Sequence, residues 1–309
     1  MSKRKVIGIG ETVFDIVFKN NQPVRGVPGG SVFNTMISLG RLGAETTFIS
    51  EVGRDKVGKL IYAFMEENHV KTDHMYAYFD GKSPVSLAFL NDRNEAEYDF
   101  YMNYPTDRLD IVWPRIDADD IVIFGSLYSL NPAIRPVLTD LLNYAKERKA
   151  IIYYDPNFRK NHESQVMWLK PAIIENLEFA DIVRGSTEDF ATIYKESDID
   201  KVYVNHIRFY CPYFICTDGA AGVYLRTPQV KKHYPVPALE AVSTIGAGDA
   251  LNAGILYALL KYNITLEMIP SLEEESWDKL IAEGIRFAGD VCMSYDNYIS
   301  TDFAGNCLL

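Results

Sequence analysis

Two kinds of hydrophobic segment alternate along this chain. Short runs apolar at consecutive positions recur at Val6–Ile9, Thr47–Ser50, Ile121–Phe124, Ile151–Tyr154, Asp181–Val183 and Tyr213–Cys216. A strand that is apolar throughout has both faces covered, as in a parallel sheet packed between helices. Longer stretches with apolar residues at helical spacing lie between and after these runs: Ser31–Leu42, Asp55–Asn68, Pro132–Lys149, Glu163–Phe179, Thr187–Lys195, Asp249–Leu260 and Trp277–Tyr295. The alternation predicts a doubly wound α/β domain. Two stretches break it. Thr12–Pro28 and Ser83–Val112 read as strands, with turns at Asn20-Asn21 and Asn91-Asp92-Arg93-Asn94. Tyr98, Phe100 and Met102 alternate with polar residues, as on a half-covered antiparallel strand. Together these stretches, about residues 12–28 and 83–112, predict a small appended β-sheet placed to act as a lid.

The chain's 309 residues allow one large domain with such an accessory piece, or two domains. A net charge of -11 with no basic tract excludes a nucleic-acid surface. No apolar run reaches the roughly 18 residues of a membrane span, and Val6–Ile9 is too short for a signal-peptide core. Cys211, Cys216, Cys292 and Cys307 form no Cys-x-x-Cys pair and read as reduced thiols of a cytoplasmic protein. His69, His74, His162, His206 and His233 are scattered, so zinc is not expected.

The densest chemistry lies in Ser243-Thr244-Ile245-Gly246-Ala247-Gly248-Asp249, where a small-residue turn opens an apolar helix. Free N–H groups and the positive end of the helix dipole attract anions there, phosphate above all. An aspartate in that turn would repel phosphate. It fits if it takes the proton of a hydroxyl attacking a phosphoryl group that the N–H groups hold. The same residues also suit a plain helix start, and the segment alone does not choose.

Other polar residues fall at carboxyl ends of strands, where open α/β sheets bind ligands: Glu11 and Asp15, Asp155-Pro156-Asn157, Ser186, and Thr217-Asp218-Gly219. Gly29-Gly30 opens a helix with Asn34 one turn in, so backbone and amide can approach one ligand, and Asp15 is placed to accept bonds from vicinal hydroxyls. Arg159 after Asp155-Pro156-Asn157-Phe158 is either a phosphate partner or a surface charge. Thr217-Asp218-Gly219-Ala220-Ala221-Gly222 is a tight turn beside a ligand or an ordinary hairpin turn. Gly53–Leu60 nearly matches a P-loop, but Leu60 stands where Ser or Thr must bind magnesium. Gly8-x-Gly10 lacks the third glycine of the dinucleotide fingerprint.

Taken together the motifs resemble the ribokinase-like, or phosphofructokinase-B, family of carbohydrate kinases. Gly29-Gly30-Ser31-Val32-Phe33-Asn34 with Leu39-Gly40-Arg41-Leu42-Gly43, and Val52-Gly53-Arg54-Asp55 with Gly58, look like its N-terminal signature. Thr244–Asp249 with Ala253-Gly254 is similar to its C-terminal one. The resemblance implies a three-layer α/β/α sandwich with a β lid that often serves as a homodimer surface, and a reaction between a sugar and ATP with magnesium. It implies Asp249 as catalytic base and the N–H groups of Gly246, Ala247 and Gly248 as anion hole. Asp15, Gly29, Gly30 and Asn34 would hold the sugar, with Arg159 beside the phosphate. Ser186, Thr217, Gly219 and Gly222 would line the nucleotide site. The family's Asn-x-x-Glu motif stands here as Ser186-Thr187-Glu188-Asp189, so Asp189 is its indirect magnesium position. Ser243 replaces the Asp common in the monovalent-cation loop, which leaves potassium activation open. Phe124-Gly125-Ser126, Tyr98–Tyr101 and Asp155–Arg159 resemble the fructokinase branch, and Asn103, where Arg is often found, argues against an acidic sugar. The implied alternatives are another sugar or nucleoside kinase (ribokinase, 2-keto-3-deoxygluconate kinase, adenosine kinase) or a kinase-like binding protein without turnover.

Overall fold

The computed structural model describes residues 4–90 and 96–307. In chain order the strands are β1 Lys5–Ile9, β2 Val13–Lys19, β3 Gln22–Gly29, β4 Glu45–Gly53, β5 Met75–Tyr78, β6 Lys82–Leu90, β7 Ala96–Asn103, β8 Ile121–Gly125, β9 Ile151–Asp155, β10 Ile182–Ser186, β11 Phe214–Thr217, β12 Val223–Arg226 and β13 Lys231–Tyr234. The helices are α1 Ser31–Arg41, α2 Lys56–Glu67, α3 Arg135–Glu147, α4 Val166–Phe179, α5 Thr187–Tyr194, α6 Ile199–Val202, α7 Ala247–Lys261, α8 Glu274–Cys292 and α9 Thr301–Gly305.

All six apolar runs become strands of one nine-stranded sheet, ordered β13-β12-β11-β10-β9-β8-β1-β4-β5. Pairing is parallel from β5 to β11, and β12 and β13 add an antiparallel edge. Side chains alternate across a strand, and the alternation separates two cores. Val6, Ile121, Ile123, Ile151, Tyr153, Ile182 and Ile215 pack on the α1, α7 and α8 side. Ile7, Val122, Phe124, Ile152, Tyr154, Val183 and Phe214 pack on the α3, α4 and α5 side. The result is the doubly wound α/β domain the pattern predicts, in the three layers the resemblance implies. Among the described residues no helix is long and apolar enough to cross a membrane.

The two pattern-breaking stretches form a separate four-stranded sheet, β3-β2-β6-β7. Its strands end at Asn103, so the predicted extension to Val112 is coil that returns to the main domain. The predicted Asn91–Asn94 turn and the Tyr98 side chain lie outside the described residues. Phe100, Tyr101 and Met102 are all exposed. Phe100 and Met102, expected on a covered face, are thus in solvent.

The near-P-loop is a helix start. The Asp55 carboxylate caps α2 by accepting from the Gly58 N–H at 2.8 Å, and Lys59 is exposed. The pattern misses β5, β12 and β13. Each has four residues, and β13, Lys231-Lys232-His233-Tyr234, carries the polar sequence suited to an edge. α3 starts at Arg135, three residues later than expected, with a proline in its first turn.

Candidate active site

The site begins at the first turn of α7. Gly246 caps it at φ 81, and an added Cβ there would lie 2.5–2.8 Å from the Asn297 backbone. Left-handed backbone and absence of space together require glycine. The first α-helical bond of α7 runs from the Ala250 N–H to the Gly246 carbonyl at 2.8 Å. The Ala247 N–H reaches the Thr244 carbonyl at 3.3 Å, and the Gly248 and Asp249 N–H groups lie in the first turn, ahead of the helix's own ladder.

Asp249 sits in this turn, buried, with its carboxylate facing α1. The Ser31 hydroxyl donates to Oδ1 at 2.8 Å and the Asn34 amide donates to Oδ2 at 2.8 Å. The Thr35 hydroxyl donates to the Asp249 carbonyl at 3.0 Å. The helix start after the paired glycines and the distant aspartate thus meet directly, 218 residues apart for Ser31 and Asp249. Burial pushes the Asp249 carboxyl up to about 6; the donors Asn34 and Ser31 oppose that, the charge of Asp155 adds to it, and Arg159 opposes it. A carboxylate in this range is ionised near neutral pH yet basic enough to take a proton. The Oδ1 of Asn34 is buried without a partner.

On the other side of the glycine pair stands Asp15. A Cβ on Gly29 would lie 2.6 Å from its Oδ2, and Gly30, at φ 133, leaves no room for a Cβ against the Glu11 carbonyl. The Ser86 hydroxyl of β6 donates to Asp15. Burial pushes the Asp15 carboxyl up to about 6, against that hydroxyl. Asp15, Val17, Val27 and Ala88 of the small sheet line a cavity of about 310 Å³ with Ser243 and Asn297 of the main domain. Nearby, Tyr104 donates to Glu11, and Arg108, stacked 3.7 Å from the Tyr104 ring centroid, forms a buried ion pair with Glu51. Burial pushes Glu11 up, opposed by the Tyr104 hydroxyl and Arg108. These contacts fasten the coil leaving the small sheet to the carboxyl ends of β1 and β4.

A second cluster lies beneath the α7 turn. Asp155, at the end of β9, accepts at Oδ2 from Arg184 at 3.0 Å and from Asn252 of α7 at 2.6 Å. Arg184 also donates to the Thr217 hydroxyl at 2.8 Å. A Cβ on Gly248 would lie 2.9 Å from both terminal guanidinium nitrogens. Arg184, Asp155 and Asn252 are all buried.

The predicted residues therefore fall into connected groups. Asp15, Gly29, Gly30, Asn34 and Asp249 line one side. Thr217 joins the other through Arg184, and Gly219 (φ 49) and Gly222 (φ 115) form the turn beyond it. Arg159 is exposed, close enough to Asp249 to lower its proton affinity. Ser186 and Asp189 form a capping box on α5. The Asp189 Oδ2 accepts from the Ser186 N–H and hydroxyl at 2.7 Å each, and burial, then the charge of Asp155, pushes Asp189 up. The cap thus engages one of the two Asp189 carboxylate oxygens. Sequence reasoning missed Ser31, Arg184 and Asn252. A charged residue ending the apolar run at Val183 was the available signal for Arg184.

Among the described residues no group of three or more His, Cys, Asp or Glu could hold a metal. A magnesium ion carried by nucleotide phosphates needs only one or two carboxylates and water, so these residues fit a metal that arrives with ATP. The glycine turns and the α7 start fit the phosphates.

Residues 3–291 match the model of the pfkB family carbohydrate kinases. A probable chloroplastic fructokinase of Arabidopsis thaliana is 28% identical, over 82% of this chain and 70% of its own length. A fructokinase of Salmonella typhimurium is 25% identical, over 85% and 87%. Among solved structures, a Vibrio cholerae fructokinase with fructose, ADP and potassium bound has a TM-score of 0.84 at 19% identity, covering 100% of both chains. Aminoimidazole riboside kinase of Salmonella enterica, with aminoimidazole riboside and an ATP analogue, has a TM-score of 0.81 at 21% identity, covering 99% of this chain and 100% of that one. The ribokinase-like fold and the family match agree with the α7 turn and glycine-pair geometry: this chain belongs to the pfkB family of carbohydrate kinases.

Proposed function

We propose that this chain transfers the γ-phosphoryl group of ATP to the primary hydroxyl of a ketohexose, fructose first. The observation that carries the reading is the Asp249 carboxylate, held by Ser31 and Asn34 at the amide-lined start of α7 and ionised near neutrality. The sugar sits in the cavity between the small sheet and the main domain, with its hydroxyls on Asp15 and on the free Asn34 oxygen. Asp249 takes the proton of the attacking hydroxyl as the bond to phosphorus forms. The N–H groups of Gly246, Ala247 and Gly248 stabilise charge on the phosphoryl oxygens, with Arg159 approaching from the solvent side. Thr217, Gly219 and Gly222 support the nucleotide, and Ser186 with Asp189 shapes the neighbouring helix start. Magnesium bound to the phosphates supplies further charge neutralisation.

The small sheet acts as a lid that excludes water and limits ATP hydrolysis. Its exposed edge, Phe100 to Met102, suits a homodimer. The fructokinases among the relatives support fructose. The likeness to aminoimidazole riboside kinase supports a second reading, a riboside as acceptor. An assay of ADP release across sugars and nucleosides, with and without potassium, separates them. Fructose is expected to give the highest kcat/KM. A riboside preferred over every hexose would replace the first reading. Sugar-induced thermal stabilisation without ADP release would replace both with a binding protein.

A further inference from the structure

The Arg184 guanidinium is buried under the α7 turn, and its Nε has no partner. Burying a guanidinium is costly, and an ion pair with Asp155 offsets that cost without making the pair a strong source of stability. A buried orphan donor adds to it. Well-packed apolar residues would hold β10 to its neighbours equally well, so stability does not explain the arrangement. Its connections do. One terminal nitrogen holds Asp155, whose same oxygen holds Asn252 of α7, and the Tyr153 hydroxyl donates to the Asn252 amide oxygen at 3.0 Å. The other nitrogen holds Thr217, at the entrance to the Gly219–Gly222 turn. Both lie against the bare Cα of Gly248. One planar group thus touches the last residue of β9, the last residue of β11 and the first turn of α7.

We propose that Arg184 is a positioning residue for phosphoryl transfer, setting the spacing between the nucleotide-side turn and the α7 turn that receives the transferring group. It acts through Asp155, Thr217 and Gly248 and does not itself take the proton. The assignment rests on the kinase reading above, so its test includes nucleotide binding, which needs no correct sugar.

Arg184→Met and Arg184→Lys are to be compared with the native enzyme for ADP affinity by calorimetry, steady-state kinetics on the best acceptor and thermal melting. A misplacement of about 1 Å costs on the order of 10²-fold in rate. Arg184→Met is therefore expected to lower kcat by about that factor, to weaken ADP, and to leave the sugar dissociation constant within about threefold of native. Arg184→Lys keeps the charge but not the fork and is expected to recover about tenfold of that loss. A folded Met variant with native kcat and native ADP affinity overturns the proposal. So does a loss equal in the Lys and Met variants that comes with lost sugar binding and a lowered Tm, which marks a purely structural role. If Arg184→Met does not fold, Arg184→Lys decides: a lowered kcat and weakened ADP with unchanged sugar binding support the proposal, and native values for all three overturn it. A native enzyme that binds ADP but phosphorylates no sugar would sink the kinase reading and leave the ADP comparison standing.

Discussion

Replacing Asp249 with Asn is expected to disable the enzyme and stabilise the protein. The Asp249 carboxyl is pushed from its ordinary 3.8 up to about 6 in the fold, chiefly by burial. A raised folded value means that the native state binds this proton more tightly than the unfolded chain does. The favourable contribution is complete below about pH 4 and is lost as pH rises through about 6. Above that, the charged form costs about 3 kcal/mol relative to the neutral one, at about 1.4 kcal/mol per pH unit. Asn is neutral throughout and nearly isosteric. Its amide oxygen can face Asn34 and its amino group the Ser31 hydroxyl, which rotates to accept. Near pH 7.5 the variant is expected to melt roughly 5 °C higher, with the advantage shrinking as pH falls from about 6 to about 4. Turnover is expected to fall at least ~10²-fold, the low end of general-base effects. Thermal melts across that pH range and an ADP-release assay check both halves. An Asn variant that melts lower at pH 7.5, or whose advantage does not change with pH, refutes the electrostatic reasoning. Near-normal turnover refutes the base.

Ser31→Ala removes a donor that favours the ionised base, so the acidic limb of the kcat profile should move to higher pH; an unmoved limb contradicts the contact. Asn34→Ala should raise the sugar KM more than the ATP KM, because its buried Oδ1 is the atom left open for a hydroxyl; equal effects count against a sugar role. Arg108→Ala strips the buried Glu51 of its ion-pair partner and should cost about 3–5 kcal/mol, read by denaturant unfolding. A loss below about 1 kcal/mol would place that pair among the weak surface ones.

Much of this protein is written locally. Each of the six apolar runs contributes to a strand of one sheet, and alternate residues such as Ile121 and Val122 divide the two cores, because a strand covered on both faces must be apolar at every position. The signatures around Gly29-Gly30 and Gly246–Asp249 are likewise local, since left-handed or crowded backbone at Gly30 and Gly246 admits only glycine. Short elements were not legible. β12 and β13 draw stability from the strand beside them more than from their own four residues, whereas β7 was legible as a strand but exposes Phe100, Tyr101 and Met102. Nor could the chain reveal that Ser31 holds Asp249 or that Arg184 lies under Gly248. Those pairings join residues brought together only when the sheet closes. A hydrogen bond depends on separation and direction in space, and neither exists along the chain until packing of the two cores has set them.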